Sequence, residues 1–220
     1  MRLLLYFMVF FSLLSCREKS DTTVAEDSTL EAVAGAEESP ADTAATLSAI
    51  NTIEDIEEAY AYVLSKIEHH SMDSTSFGYN CHGEKQGNVQ YFSENGQLRL
   101  IRHTYNEYSH HDATDHYFVK DSSLYFVFFD RMSWSFDSQA KEPEAVKEEI
   151  TENRFYIVDN QPVRCLEKKF TTRSAAANNP RSALVANKEV GCTSLELVRE
   201  NFRLLVQHRH QQDSLSCLED

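Results

Sequence analysis

Asp115-His-Tyr-Phe-Val-Lys-Asp-Ser-Ser-Leu-Tyr-Phe-Val-Phe-Phe-Asp130 is the stretch whose reading decides the fold. Aromatic and β-branched residues flank a short polar break, Lys120-Asp121-Ser122-Ser123. That pattern predicts two antiparallel strands joined by a tight turn. The second arm, Leu124 to Phe129, is six apolar residues in a row, so both its faces should be covered. It belongs at the centre of a sheet.

Two further stretches share its layout. Tyr91-Phe92-Ser93-Glu94-Asn95-Gly96-Gln97-Leu98 and Phe155-Tyr156-Ile157-Val158-Asp159-Asn160-Gln161-Pro162 parallel Tyr117-Phe118-Val119-Lys120-Asp121-Ser122-Ser123-Leu124. Each carries two aromatics, two spacers and then a turn, for which Asn95-Gly96 and Asp159-Asn160 tolerate positive φ. The steps between them are too irregular for a solenoid, yet they suffice for a meander of about six strands. The first of these stretches resembles the MORN-like aromatic/Asn-Gly hairpins of uncharacterised Gram-negative lipoproteins. The resemblance covers Val89 to Phe170 and implies no activity.

Helices bracket the hairpins. Asn51 and Glu54 have the spacing of a capping box, and Ile53, Ile56, Tyr60, Val63 and Ile67 follow as an apolar stripe. A polar loop through Cys81, His82, Gly83 and Gly87 is expected before strands begin at Val89. Lys141 to Glu152 reads as a loop or short helix, and Thr171 to Lys188 as a long connection. Thr193-x-x-Glu196 opens a second amphipathic helix bearing Leu195, Val198, Phe202 and Leu205. The expected class is α+β, an antiparallel β-meander with both helices packed on one face.

The N-terminus is of another kind. Arg2 precedes a twelve-residue run, Leu3 to Leu14, which is apolar apart from Ser12. At about 1.5 Å per residue such a helix falls short of a hydrocarbon core ~30 Å thick, so it reads as a secretory signal. Leu13-Leu14-Ser15-Cys16 resembles the lipobox of bacterial lipoproteins, which implies a signal peptide over 1–15 and a lipid on Cys16. Residues 16–48 have few large apolar side chains and an excess of acid, the composition of a disordered tether. Residues 49–220 are left for one domain. By analogy with Gram-negative lipoproteins, Arg17 after the cysteine implies outer-membrane anchoring, with a periplasmic or surface-exposed domain.

The chain holds 21 Lys and Arg against 35 Asp and Glu, a formal charge of −14, which argues against a nucleic acid partner. Besides Cys16 there are Cys81, Cys165, Cys192 and Cys217, an even number in an exported protein, hence two disulfides. A straight helix would hold Cys192 and Cys217 apart. The favoured pairings join Cys165 to Cys81 or to Cys192.

His110, His111, Asp112, Asp115 and His116 are the residue types that ligate divalent metals, but no fourth-ligand motif accompanies them, and a solvated hairpin loop accounts for them as well. No G-x-S-x-G, Walker or G-x-G-x-x-G sequence occurs, so no catalytic residue and no cofactor is assigned. The sequence therefore points to a membrane-anchored, non-catalytic domain that binds a protein partner or envelope component. The alternatives are a small-ligand or metal-binding periplasmic lipoprotein and a hydrolase of unfamiliar type.

Overall fold

The computed structural model describes residues 47–193 and 195–218; the signal peptide, Cys16 and nearly all of the tether lie outside the described residues. The chain runs α1 (Ile53–Glu68), β1 (Asp73–Cys81), β2 (Lys85–Glu94), β3 (Gln97–Glu107), β4 (His111–Lys120), β5 (Ser123–Phe136), β6 (Val146–Val158), β7 (Gln161–Arg173), β8 (Lys188–Glu189) and α2 (Leu195–Gln207). The eight strands form one antiparallel sheet in sequence order, each bonded to the next. The α+β class and the meander are as the sequence predicts.

The strand number is larger than expected. β1 is a complete strand in place of a polar approach, because the Asp73-Ser-Thr-Ser start lies exposed on the sheet's edge and hides the alternation that begins at Phe77. β6 starts inside the stretch read as a loop: Val146 to Glu149 alternate weakly in sequence, yet they pair with the end of β5 and with β7. The short β8 adds two residues to the far edge.

The three look-alike stretches share one backbone plan. Each turn places two consecutive residues at positive φ: Asn95-Gly96, Asp121-Ser122 and Asp159-Asn160. Each also carries a β-bulge just after the second aromatic, between Phe92/Ser93, Phe118/Val119 and Tyr156/Ile157. The paired aromatics separate because successive side chains of a strand point to opposite faces. Tyr91, Tyr117 and Phe155 join one buried cluster, while Phe92, Phe118 and Tyr156 join another.

These clusters correct the placement of the helices. Leu195, Val198 and Leu205 of α2 belong to the Tyr117 cluster; Ile56, Ala59 and Val63 of α1 belong to the Phe118 cluster. Tyr60 of α1 lies 5.1 Å from the ring of Phe118, and Phe202 of α2 lies 6.2 Å from that of Tyr117. Tyr117 and Phe118 are neighbours facing opposite ways, so one helix covers each face. The central strand demands this: Leu124, Tyr125, Phe126, Val127 and Phe129 of β5 are all buried, which one layer of helices cannot achieve.

The cap of α1 is shifted by one residue. Thr52 accepts from the Asp55 amide, and Asp55 accepts from the backbone of Thr52 and Asn51. Thr52 with Asp55 thus forms the capping box expected of Asn51 with Glu54. No helix among the described residues is long and apolar enough to cross a membrane.

Both edges of the sheet are stapled. Leu215 bridges to Tyr79 on β1, and Cys81–Cys217 closes beside that bridge. On the other edge the Val190 amide donates to Cys165 on β7, and Cys165–Cys192 closes there. Of the two pairings open to Cys165, the one with Cys192 is formed.

Candidate functional site

The face under α2 carries a buried polar group. Asp115, Tyr117 and Val119 alternate inward on β4, so Asp115 enters the apolar layer and needs a partner. Arg131 on the adjacent β5 supplies it, donating through Nε at 3.0 Å and Nη2 at 2.7 Å. Burial still raises the Asp115 carboxyl above its usual range, against the pull of Arg131. Beside it, Tyr79 Oη and His103 Nε2 are 2.8 Å apart. Burial, with Lys85 and Arg131 nearby, holds His103 down to about 3 and so keeps it neutral. Gly87 makes room for this contact: a Cβ there would meet the Tyr79 ring at 2.8 Å. A cavity of about 40 Å³ adjoins Lys85, His103, Tyr105 and Asp115, closed over by Leu204, Leu205 and Leu218. It is large enough for water but not for a substrate. This cluster braces the layer.

The face under α1 is different. The helix covers the half that holds Phe92, Phe118, Phe126 and Tyr156, near the three tight turns. Beyond it, toward the other ends of the strands, the same face continues as Asn88, Thr104, Thr114, Asp130 and Met132, which line an open groove of about 710 Å³. Thr104 and Thr114 pair across β3 and β4, and Asp130 sits opposite Thr114 on β5. Burial and the neighbouring Glu152 raise the Asp130 carboxyl. Glu152 is itself buried under the connection after β7. It accepts from Arg154 at 2.7 Å and from the Ser182 hydroxyl, and lies 3.1 Å from Lys168 Nζ. Burial pushes the Glu152 carboxyl up, but these partners outweigh it and hold the group below its usual range. That connection closes one side of the face; the groove occupies the side left open.

The strand alternation disperses the five candidate metal ligands. His111 and Asp115 face α2, whereas Asp112 and His116 face the α1 side, and His110 stands in the turn before β4. His110 stacks on Trp134 at 4.2 Å, and His111 Nδ1 lies 2.9 Å from Ser133 Oγ. His116 is wedged between Phe118 and Phe128, and burial with Arg102 nearby lowers it to about 4. Neighbours in an extended strand cannot converge on one ion, and no group of three or more possible ligands occurs among the described residues. Of the five, only Asp112 lines the groove.

The groove residues escaped the sequence because each is an ordinary polar residue on an exposed half-strand. The Asp115–Arg131 pair did leave a signal: an acid in phase with Tyr117 and Val119 must be matched from an adjacent strand. No protein-family model, no curated protein and no solved structure matches the chain.

Proposed function

We propose that the protein is a membrane-anchored, non-catalytic lipoprotein of a bacterial envelope that binds a protein partner or envelope component through the uncovered half of its α1 face. The observation that carries this reading is the groove itself. An antiparallel sheet can leave polar side chains to water, but this uncovered half-face is hollowed into a concavity of about 710 Å³, with the C-terminal residues Ser214 and Leu215 at its side. The lipobox-like Leu13 to Cys16 supports anchoring through Cys16, and two disulfides suit an oxidising compartment. The likeness of the hairpins to MORN-like lipoproteins agrees with an interaction role and adds no chemistry.

A photo-crosslinking residue at position 214, at the side of the groove, tests the reading in intact envelopes, with position 169, exposed on β7, as reference. A specific adduct from position 214 and none from 169 is expected. Equal labelling at both positions would refute it.

A further inference from the structure

The groove lining restricts what it can hold. Its floor is the face of β1 to β5, whose backbone groups are already spent in the ladder, so an added strand cannot pair there. A ligand meets side chains alone. They include the amides Gln86, Asn88 and Asn106, hydroxyls of Thr104 and Thr114, and the carboxylates Asp112 and Asp130, with Asn80 and Ser214 at the side. No lysine or arginine lines it, so an anion would meet two carboxylates with nothing to balance them.

Part of the lining is already engaged: the Asn88 amide donates to the Phe77 carbonyl at 3.1 Å, and the Thr104 and Thr114 hydroxyls are 3.5 Å apart. The remaining amides can each donate and accept, while the carboxylates accept only. Adjacent hydroxyls on a ring answer both needs at once, being donors and acceptors at close spacing. Met132 and Leu215 add apolar surface between the polar groups. Two residues beyond Met132 on the same face stands Trp134, its ring stacked on His110 and its Nε1 donating to the Ser109 carbonyl. That indole is a fixed aromatic plate just past the last groove residue of β5. Strands lie about 4.8 Å apart, so β1 to β5 span roughly 19 Å, the length of a chain of rings.

We propose that the groove holds a short, uncharged oligosaccharide, with hydroxyls bonded to Asn106, Asp112 and their neighbours. The proposal rests on the reading of this half-face as the recognition surface, and it names the ligand class.

Trp134 is the only tryptophan in the chain, so its fluorescence reports from the strand that carries Asp130 and Met132 without labelling. The full-length protein in a non-glycosidic detergent is titrated with tetramers of N-acetylglucosamine, β-1,4-linked glucose and α-1,4-linked glucose, and with tetralysine as the charged peptide. Saturable change with at least one tetrasaccharide is expected. Asp112→Ala and Asn106→Ala should each weaken it tenfold or more at unchanged Tm, while Lys169→Ala leaves it unaltered. No saturation with any sugar, or saturation indifferent to both groove variants, overturns the proposal. Saturation by tetralysine alone, lost in Asp112→Ala, also overturns it and assigns the groove to cationic peptides. If sugars fail while the adduct at position 214 persists, only the ligand class is wrong. If that adduct is absent as well, the recognition surface itself is wrong.

Discussion

The two faces of the sheet are built from the same strands and solve different problems. Under α2 the polar residues Asp115, Arg131, His103 and Tyr79 are matched to one another beside a cavity of only about 40 Å³, and the larger hollow of about 580 Å³ under this helix lies at the turn end of the strands, by Leu98, Val119 and Phe202. Under α1 the apolar half is as dense as a core, and the polar half stops at an open groove. Shifted groups occur on both faces: His103 and Asp115 under α2, His116 and Asp130 on the α1 side. The difference lies in the pairing, since the polar groups under α2 are matched to one another while most of those lining the groove are turned to open space.

The comparison is broken most severely by emptying the covered half of the α1 face. Phe118→Ala removes a fully buried ring that touches Tyr60, Tyr125 and Phe126, and should cost about 3–5 kcal/mol by urea unfolding. Asn106→Ala, on the open half of the same face, should stay within about 0.5 kcal/mol. Equal losses would mean that the two halves form one core.

On the α2 face Asp115→Asn strands the Arg131 guanidinium with one weak acceptor in place of two charged ones. A loss of about 2 kcal/mol is expected, measured the same way. A neutral result would show that Arg131 turns out to solvent at no cost.

Acid should act through one buried histidine on each face. His103 is held at about 3 against a usual 6.5, so the folded state resists a proton that the unfolded chain accepts. Its contribution is complete above about 6.5 and drains as pH falls from there towards 3. His116, lowered to about 4, adds a second component over an overlapping window. Urea midpoints should fall between pH 7 and pH 5, and His103→Gln should flatten that slope. A slope unchanged in the variant would place the acid sensitivity elsewhere.

Capping gives a smaller effect. Thr52→Ala, which removes the acceptor for the Asp55 amide, should cost about 1 kcal/mol. Asn51→Ala should cost much less, because Asn51 contributes only its backbone amide. The smallest change has the opposite sign. Tyr125 is buried with no partner for its hydroxyl, so Tyr125→Phe should leave Tm unchanged or raise it slightly.

Much of the fold was written in the aromatic doublets. Tyr117-Phe118 and its two counterparts announce hairpins, and the continuous apolar run of β5 announces a strand covered on both sides. The same run required a helix on each face, and that inference is available from Leu124 to Phe129 without coordinates. Less legible were β1 and the start of β6, where exposed polar residues keep no period that distinguishes strand from loop. The bulges were invisible too: Arg99, Tyr125 and Val163 each occupy the extra position, and three such different residues share no signal. The site was the hardest to read. The histidine-rich stretch attracted attention by composition, but alternation sent its members to opposite sides. Only Asp112 reached the groove, beside residues gathered from five strands that no local pattern connects.

The two staples also differ in when they can close. Cys165 finds its partner 27 residues away, whereas Cys81 waits for a residue 136 positions later. In a chain that emerges N-terminus first, the β7 side can therefore be sealed while α2 is still arriving. The β1 side stays a bare ladder of donors and acceptors until Cys217 emerges. For that interval the unpaired rim of β1 is open to strands of other chains.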